Sequence, residues 1–382
     1  MCGFVGTINL SNDLNHKILI KEANNLLKKR GPDSEGFFQN NFCKFGFRRL
    51  SIIDLSESGN QPMISNDGRY ICMFNGEIYN YKKLYNELEN SFKWKSKTDT
   101  EVLLNSYIFW GKKFVSKLDG MFSFVILDLK RKELFCSRDK LGEKPFFYHK
   151  EKNNFYFASN LSALEKICNK KFLYDNNSVN DFITYGHCDS QKTIFKDVFK
   201  LQPGCNLTLT ENTLKIENYW DQKLDQLNKE NNTNTFENFD QIFKRSIREK
   251  MNSDRPVGIF LSSGIDSSLV AKLAKNELGK IKTFSIGFDD EKYDESNLAR
   301  KFSKKLESDH HEKIISHSDI IKEIPNLSEK FDEPVADPSL IPTYLMTKFA
   351  KENMVDVCLS GDGGDELFGG YNYYTLMKIK SL

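Results

Sequence analysis

Short apolar runs separated by polar turns fill the first half of the chain. Residues 4–8, 42–47, 70–74, 122–127, 134–137 and 155–158 are rich in β-branched and aromatic side chains, bounded by Gly, Asn and Asp. That pattern predicts strands. The stretches 16–29, 79–90 and 99–117 between them carry helical spacing. Strand pairs followed by helices predict an α+β layered sandwich.

The pattern changes after Trp220. Residues 222–235 are polar, rich in Asn and Lys, and without periodicity, which marks a linker. Phe236, Phe239, Phe243 and Ile247 then recur at helical spacing, and 257–261 is a continuous apolar run. Such a run predicts a strand buried on both faces. A helix from Ser267, a strand at 283–287, a helix at 294–307 and strands at 312–315 and 354–359 follow. Strands alternating with helices predict a doubly wound parallel α/β sheet. The expected organisation is an α/β chain of 382 residues, with domains at 1–205 and 236–382 and a linker over 206–235.

Composition narrows the function classes. Net charge is +2, from 55 basic and 53 acidic residues, which gives no electrostatic case for nucleic acid or an anionic membrane. The longest apolar run, near 121–127, is far too short to cross a bilayer, and no basic segment followed by an apolar stretch forms a signal peptide. The eight cysteines are scattered, without a Cys-x-x-Cys pair, which predicts reduced thiols in a cytoplasmic protein. Among the six histidines, His310 and His311 are adjacent and cannot share a helix face, so no zinc site is expected.

Candidate chemistry begins at Cys2. Removal of Met1 ahead of this small residue would leave a thiol and a free α-amine on one residue. An α-amine titrates near pH 8, so it can act as the base that turns the thiol into a nucleophile. Alone, a cysteine at a chain end says little.

A second candidate is the loop Ser262-Ser263-Gly264-Ile265-Asp266-Ser267-Ser268, between the buried strand and its helix. Free backbone N–H groups and the helix dipole favour an anion there, and the small residues allow close approach. Asp266 would repel a phosphate by itself, so its presence implies a bridging Mg²⁺. A third candidate, 360–370, places Asp362, Asp365 and Glu366 among glycines after the last strand, a composition suited to cation coordination and substrate positioning.

These two loops together with Cys2 resemble the glutamine-hydrolysing asparagine synthetases. The matching segments of the first half are Met1-Cys2-Gly3-Phe4-Val5-Gly6, Arg30-Gly31-Pro32-Asp33, Arg49-Leu50-Ser51-Ile52-Ile53-Asp54, Asn75-Gly76-Glu77-Ile78-Tyr79-Asn80 and Thr98-Asp99. They are similar to a class II glutamine amidotransferase domain of the Ntn-hydrolase-like αββα kind. The second half resembles an ATP-pyrophosphatase-type synthetase domain.

The resemblance implies roles residue by residue. Cys2 would be the nucleophile, with its own amine as base, and Asn75 with the Gly76 N–H would form the oxyanion hole. Arg49 would pair with the glutamine carboxylate, Asp99 and Glu77 would hold its ammonium, and Leu50, Ser51, Ile52 and Ile53 would line the pocket. In the second half Leu261 and Ile286 would meet the adenine of ATP, while Ser262, Ser263, Gly264, Asp266, Ser267, Ser268, Ser360 and Gly361 would cradle its phosphates. Asp266 and Asp365 would hold Mg²⁺, and Asp362 would align the attacking carboxylate.

The implied reaction joins two steps. Aspartate displaces pyrophosphate from ATP to give β-aspartyl-AMP, and ammonia freed from glutamine attacks it to yield asparagine. Partners are then small molecules: glutamine, aspartate and ATP. A homodimer is compatible with the sequence, which identifies no interface. Three positions depart from the family pattern: Lys29 stands for a usual His, Ser263 for a Gly, and Asp362 for the Glu of many relatives. The chain ends at Leu382, where the family continues through a helical segment carrying part of the aspartate pocket, so the expectation is a fragment, a truncated gene product or a shortened form. Amidation of another carboxylate, or glutaminase activity alone, are the alternatives.

Overall fold

The computed structural model describes residues 1–11, 19–221, 235–290, 292, 294–328, 330–371, 373, 374 and 377. The chain divides into two compact units, the first made of 1–229 with 331–336 and the second of 230–330 with 337–382.

The first unit holds strands β1 (Gly3–Ile8), β2 (Ser34–Gln39), β3 (Cys43–Arg49), β4 (Met63–Ile64), β5 (Tyr70–Ile78), β6 (Gly120–Asp128), β7 (Glu133–Arg138), β8 (Phe147–Glu151), β9 (Asn154–Ala158), β10 (Val198–Lys200), β11 (Cys205–Leu209) and β12 (Leu214–Asn218). They form two six-stranded sheets, ordered β10-β8-β9-β1-β3-β2 and β12-β11-β7-β6-β5-β4. Every pairing between them is antiparallel. Helices α1 (Ile20–Asn25), α2 (Tyr81–Leu88), α3 (Asp99–Trp110), α4 (Leu161–Cys168) and α5 (Asn176–Tyr185) accompany them.

Side-chain alternation explains the layering. On β1, Phe4 and Ile8 enter the core between the sheets, whereas Val5 packs with α1 and α4 on the outer face. On β6, Val125 and Leu127 face the same central core, and Phe122, Phe124 and Ile126 face α3. Strands buried on both faces, with helices outside each sheet, give the expected α–β–β–α order. Thr98 caps α3 by accepting the Glu101 N–H at 3.2 Å, and Gly111 ends it with φ of +64°.

Two boundaries differ from expectation. The strand foreseen at 70–74 runs on to Ile78, so Asn75 and Gly76 lie inside β5, opposite Ser123 and Phe122. The expected linker over 206–235 begins too early, because β11 and β12 extend the second sheet through β7. The polar stretch from 222 to 234 lies outside the described residues.

The second unit contains α6 (Thr235–Lys250), β13 (Val257–Phe260), α7 (Ile265–Leu278), β14 (Lys282–Phe288), α8 (Ser296–Leu306), β15 (Asp309–Ile315), α9 (His317–Ser328), α10 (Leu340–Glu352), β16 (Val357–Leu359) and α11 (Gly364–Phe368). Its four strands are ordered β15-β14-β13-β16 and all pair in parallel. Ile259, Val270, Ala274 and Ala299 cover one face, and Phe284, Ala350 and Val355 cover the other. Both faces are covered, as the continuous apolar strand predicts.

Phe157 joins several layers of the first core. It is fully buried and meets the rings of Phe4, Phe45, Phe146 and Phe155. Phe157→Ala is expected to destabilise the first unit by about 3–5 kcal/mol, the usual cost of deleting a buried ring. All three tryptophans, Trp94, Trp110 and Trp220, lie in that unit, so denaturant unfolding followed by their fluorescence reads the loss. A change well below 1 kcal/mol would contradict this account of the core.

Candidate active site

Cys2 immediately precedes β1, whose ladder sets Gly3 opposite Arg48 of β3. The half-buried thiol donates to the Leu50 carbonyl at 3.5 Å and accepts the Leu50 N–H at 3.4 Å. Arg30 donates from Nε to the Cys2 carbonyl at 3.1 Å. Burial pushes the thiol pKa up, while the amino terminus, the Leu50 N–H and Arg49 pull it back and Asp99 adds to the rise. The neighbouring α-amine, carried by Met1, moves oppositely. Burial lowers it to about 6; Cys2 opposes this, Arg30 and Lys144 reinforce it, and Glu77 opposes it. A neutral amine beside a protonated thiol is the starting state for moving a proton from sulfur to nitrogen.

Arg49 organises the loop after β3. Only 5% exposed, it donates from Nη1 to Ser56 O at 2.7 Å and Asn60 Oδ1 at 3.3 Å. Its Nη2 donates to Ile53 O at 3.4 Å and to Asp54 O. The segment from Ile53 to Asn60, just after Leu50, Ser51 and Ile52, therefore wraps a guanidinium whose terminal N–H groups already serve the loop. The Ser51 N–H reaches Asp33 Oδ2 at 2.8 Å. Gly59 is needed for this approach, since a Cβ there would stand 2.1 Å from Arg49 Nη2.

Asp99 opens α3 and accepts the Ile78 N–H at 3.0 Å. Burial raises its pKa to about 7; the Ile78 N–H opposes that rise, and Glu77 contributes to it. Asn75 is fully buried, and neither its amide nitrogen nor its oxygen has a partner among the described residues. An orphaned buried amide carries a desolvation cost of about 1–3 kcal/mol, which a bound hydrogen-bonding group would relieve. At Gly76 a Cβ would come within 2.1 Å of Met121 O, so the strand excludes any side chain beside that amide. Asn75-Gly76 has the composition of a hairpin turn but is paired within β5.

Sequence reasoning assigned no role to Lys144, Asp33 or Arg30. Lys144 is 6% exposed, and its Nζ lies 3.3 Å from Met1 Sδ. No motif marks it, because only the fold brings residue 144 to the amino terminus.

In the second unit the loop after β13 is tied internally. The Ser262 N–H donates to Ser267 Oγ at 3.1 Å, the two hydroxyls are 2.8 Å apart, and the Gly264 N–H donates to Ser262 Oγ at 3.1 Å. Ser263 bonds Glu295, and the Leu261 N–H donates to Phe284 O at 2.8 Å. Ser268 lies in the first turn of α7, its N–H donating to Gly264 O at 3.2 Å. Ile286 lies in β14, next to this strand. The two loops meet: a Cβ on Gly361 would approach the Ser267 nitrogen to 2.7 Å, and one on Gly364 would approach Asp266 Oδ2 to 2.5 Å. Ser360 Oγ donates to Asp362 Oδ2 at 2.8 Å, and Asp365 lies in the first turn of α11. Among the described residues, no cluster of three or more His, Cys, Asp or Glu side chains forms a complete metal cage. Nor is any helix long and apolar enough to cross a membrane.

Comparison with known proteins fits this division. A glutamine amidotransferase domain family matches residues 1–220, and an asparagine synthase family matches 238–382. The chain is 38% identical over 379 residues to the glutamine-hydrolysing asparagine synthetase 1 of Bacillus subtilis, covering 98% of this chain and 59% of that protein. It is 37% identical over 409 residues to a putative glutamine-hydrolysing asparagine synthetase 2 of Methanocaldococcus jannaschii, covering 100% of this chain and 78% of that one. The chain thus spans little more than half the length of the first relative. A solved glutamine phosphoribosylpyrophosphate amidotransferase of B. subtilis overlays 90% of this chain and 70% of its own, with a TM-score of 0.44 and 14% identity, too distant to add to the reading.

Asp99 gives folding a pH dependence. Its carboxyl is held to about 7, against about 4 in an unfolded chain. The folded state therefore binds this proton more tightly. Its contribution to stability is full below about pH 4 and is lost as pH rises through about 7. Asp99→Asn is expected to flatten that decline, by up to a few kcal/mol, in tryptophan-monitored unfolding. Parallel stability curves for the two proteins would refute the assignment.

Proposed function

The chain belongs to the glutamine-hydrolysing asparagine synthetase family, and we propose from that premise that it forms asparagine from aspartate, glutamine and ATP. The observation that carries the first half of this reading is the thiol–amine pair, in the same unit as a buried amide without a partner among the described residues. Cys2 Sγ sits on Leu50, the amine beside it is poised near neutrality, and the Asn75 side chain lacks a partner among the described residues.

Trimming of Met1 would transfer the amine to Cys2 itself. The amine would take the Sγ proton while sulfur attacks the amide carbon of glutamine. Asn75 Nδ2 and the Gly76 N–H would receive the oxyanion, as rigid donors do best. When the carbon–nitrogen bond breaks, the same proton would pass to the leaving nitrogen, giving ammonia and a thioester that water cleaves to glutamate. Glu77 and Asp99 would bind the substrate ammonium. Arg49 would bind its carboxylate by sharing donors now given to the loop carbonyls.

In the second unit, Leu261 and Ile286 would face the adenine of ATP. The serine-rich turn and the N–H groups of Ser360 and Gly361 would face the phosphates. Asp266 and Asp365 offer hard carboxylate oxygens suited to Mg²⁺, which usually keeps water and substrate phosphate in its shell and is held by one or two carboxylates. When bound it would neutralise charge on the phosphates. Asp362, oriented by Ser360, would align the aspartate carboxylate.

Incubation with glutamine, aspartate and Mg-ATP, measuring glutamate, pyrophosphate and asparagine separately, tests the proposal. Cys2→Ala is expected to lower glutamate release by at least about 10³-fold while sparing asparagine formation from an ammonium salt. Persistent glutaminase activity would refute the nucleophile. Pyrophosphate without asparagine would point to another acceptor, and glutamate alone to a chain competent only in the first step.

Asp99 offers a separate check. Near pH 6.5 it carries a proton in the empty site, and an arriving ammonium would displace it. Glutamine binding by Cys2→Ala should release a fraction of a proton, seen as a binding heat that depends on the buffer's ionisation enthalpy. Asp99→Asn should remove that dependence; if the wild-type heat is already independent of buffer, the pairing is wrong.

A further inference from the structure

A buried lysine is costly, and Lys144 is buried. Its delivery is built. The Asp139 carboxylate accepts the N–H groups of Leu141 at 3.1 Å, Glu143 at 2.9 Å, Lys144 at 3.0 Å and Phe122 at 3.1 Å. The Arg138 guanidinium donates to Lys144 O at 2.8 Å, Gly142 O at 2.6 Å and Leu201 O at 2.7 Å. Gly142, at a φ of +71°, makes the turn that a side chain would strain. Two charged side chains thus fix the backbone of 139–145, and Lys144 projects from it to the first residue of the chain.

Charged groups face the amine from several elements. Arg30 and Lys144 are the cations, Glu77 is the anion, and the Cys2 thiol is the nearest titrating neighbour; Arg49 and Asp99 face the thiol from its other side. Arg30 is committed to the Cys2 carbonyl and so holds backbone. Lys144 reaches the terminus through the Met1 sulfur. Burial lowers the pKa of the lysine itself, while Glu143 and Glu77 favour its charged form.

We propose that Lys144 is a positioning residue for the first proton transfer: its ammonium, held beside the amino terminus by the 139–145 loop, adds to burial in favouring the neutral, proton-accepting form of the amine freed by methionine removal. This rests on the reading of the processed Cys2 amine as the base. An ordinary α-amine near pKa 8 is about nine-tenths protonated at pH 7, so most molecules would lack a base. A cation several ångströms away disfavours the protonated form and brings the base toward the working pH, where general-base catalysis is most efficient.

The test uses the full-length processed protein, with Met1 removal verified by intact mass. Protein labelled with ¹³C-cysteine is titrated by NMR between about pH 5 and about pH 9 without glutamine, the Cys2 resonance being identified by its loss in Cys2→Ser. Lys144→Met should raise the amine midpoint by roughly 0.5–1 pH unit, and Lys144→Arg should leave it near wild type. The acid limb of the pH profile of kcat/KM for glutamine should shift in parallel. Coincident midpoints for Lys144→Met and wild type overturn the proposal, as does a shift in Lys144→Arg as large as that in Lys144→Met, which would make packing the cause. If Lys144→Met fails to fold, Lys144→Gln takes its place. A midpoint shift without glutaminase activity in any form would refute the proposed function while leaving this electrostatic role in place.

Discussion

Tying the start of the chain to an interior strand is the constraint on which the rest depends. β1 begins at Gly3 and runs between β9 and β3, so the first strand of the chain is an interior strand. Its register is fixed along six residues against β3 and four against β9. A terminus tied this way cannot fray, and the residue before the strand inherits the precision of both ladders. Cys2 therefore meets Leu50 without a dedicated binding loop. The apolar side chains of β1, buried on both faces, supply the energy that holds it there.

Around that terminus the protein keeps several groups away from their ordinary protonation states. The thiol is raised, the amine lowered and the Asp99 carboxyl raised, each first by desolvation. These groups lie among the charges of Arg30, Arg49, Glu77 and Lys144, so the site is strongly polarised. Glycines let the backbone close in on this set: Gly59 admits the Arg49 guanidinium, and Gly76 leaves room against Met121. The second unit repeats the device, with Gly361 and Gly364 allowing the acidic loop to press on the turn that carries Asp266.

Local pattern made the two architectures legible, because alternating runs and continuous runs encode different burial. It also pointed to Cys2 as a candidate nucleophile and to the serine-rich turn, whose chemistry is local to a few residues. What escaped reading has physical causes. β5 was expected to stop at Phe74 because Asn75-Gly76 carries the composition of a turn, although strand pairing overrides that preference. β12, Leu214–Asn218, is an exposed edge strand with almost no buried side chain, so no apolar pattern announces it. Lys144 lies 143 residues from the terminus it approaches, and the short strands and turn that bring it there leave no trace in spacing. The occupied donors of Arg49 were equally invisible, since they depend on the path of the loop to Asn60.

The segment 331–336 belongs to the first unit although the chain on both sides of it belongs to the second. Asp332 accepts the Ser162 N–H at 3.0 Å, Glu333 accepts the Ile194 N–H at 3.1 Å, and Glu333 also pairs with Lys200 at 2.9 Å. The amidotransferase unit is thus discontinuous in the gene. Any excision of it at a single cut near residue 220 amputates six residues that cap its own surface, and a faithful stand-alone version would have to restore them as a grafted or separately supplied peptide.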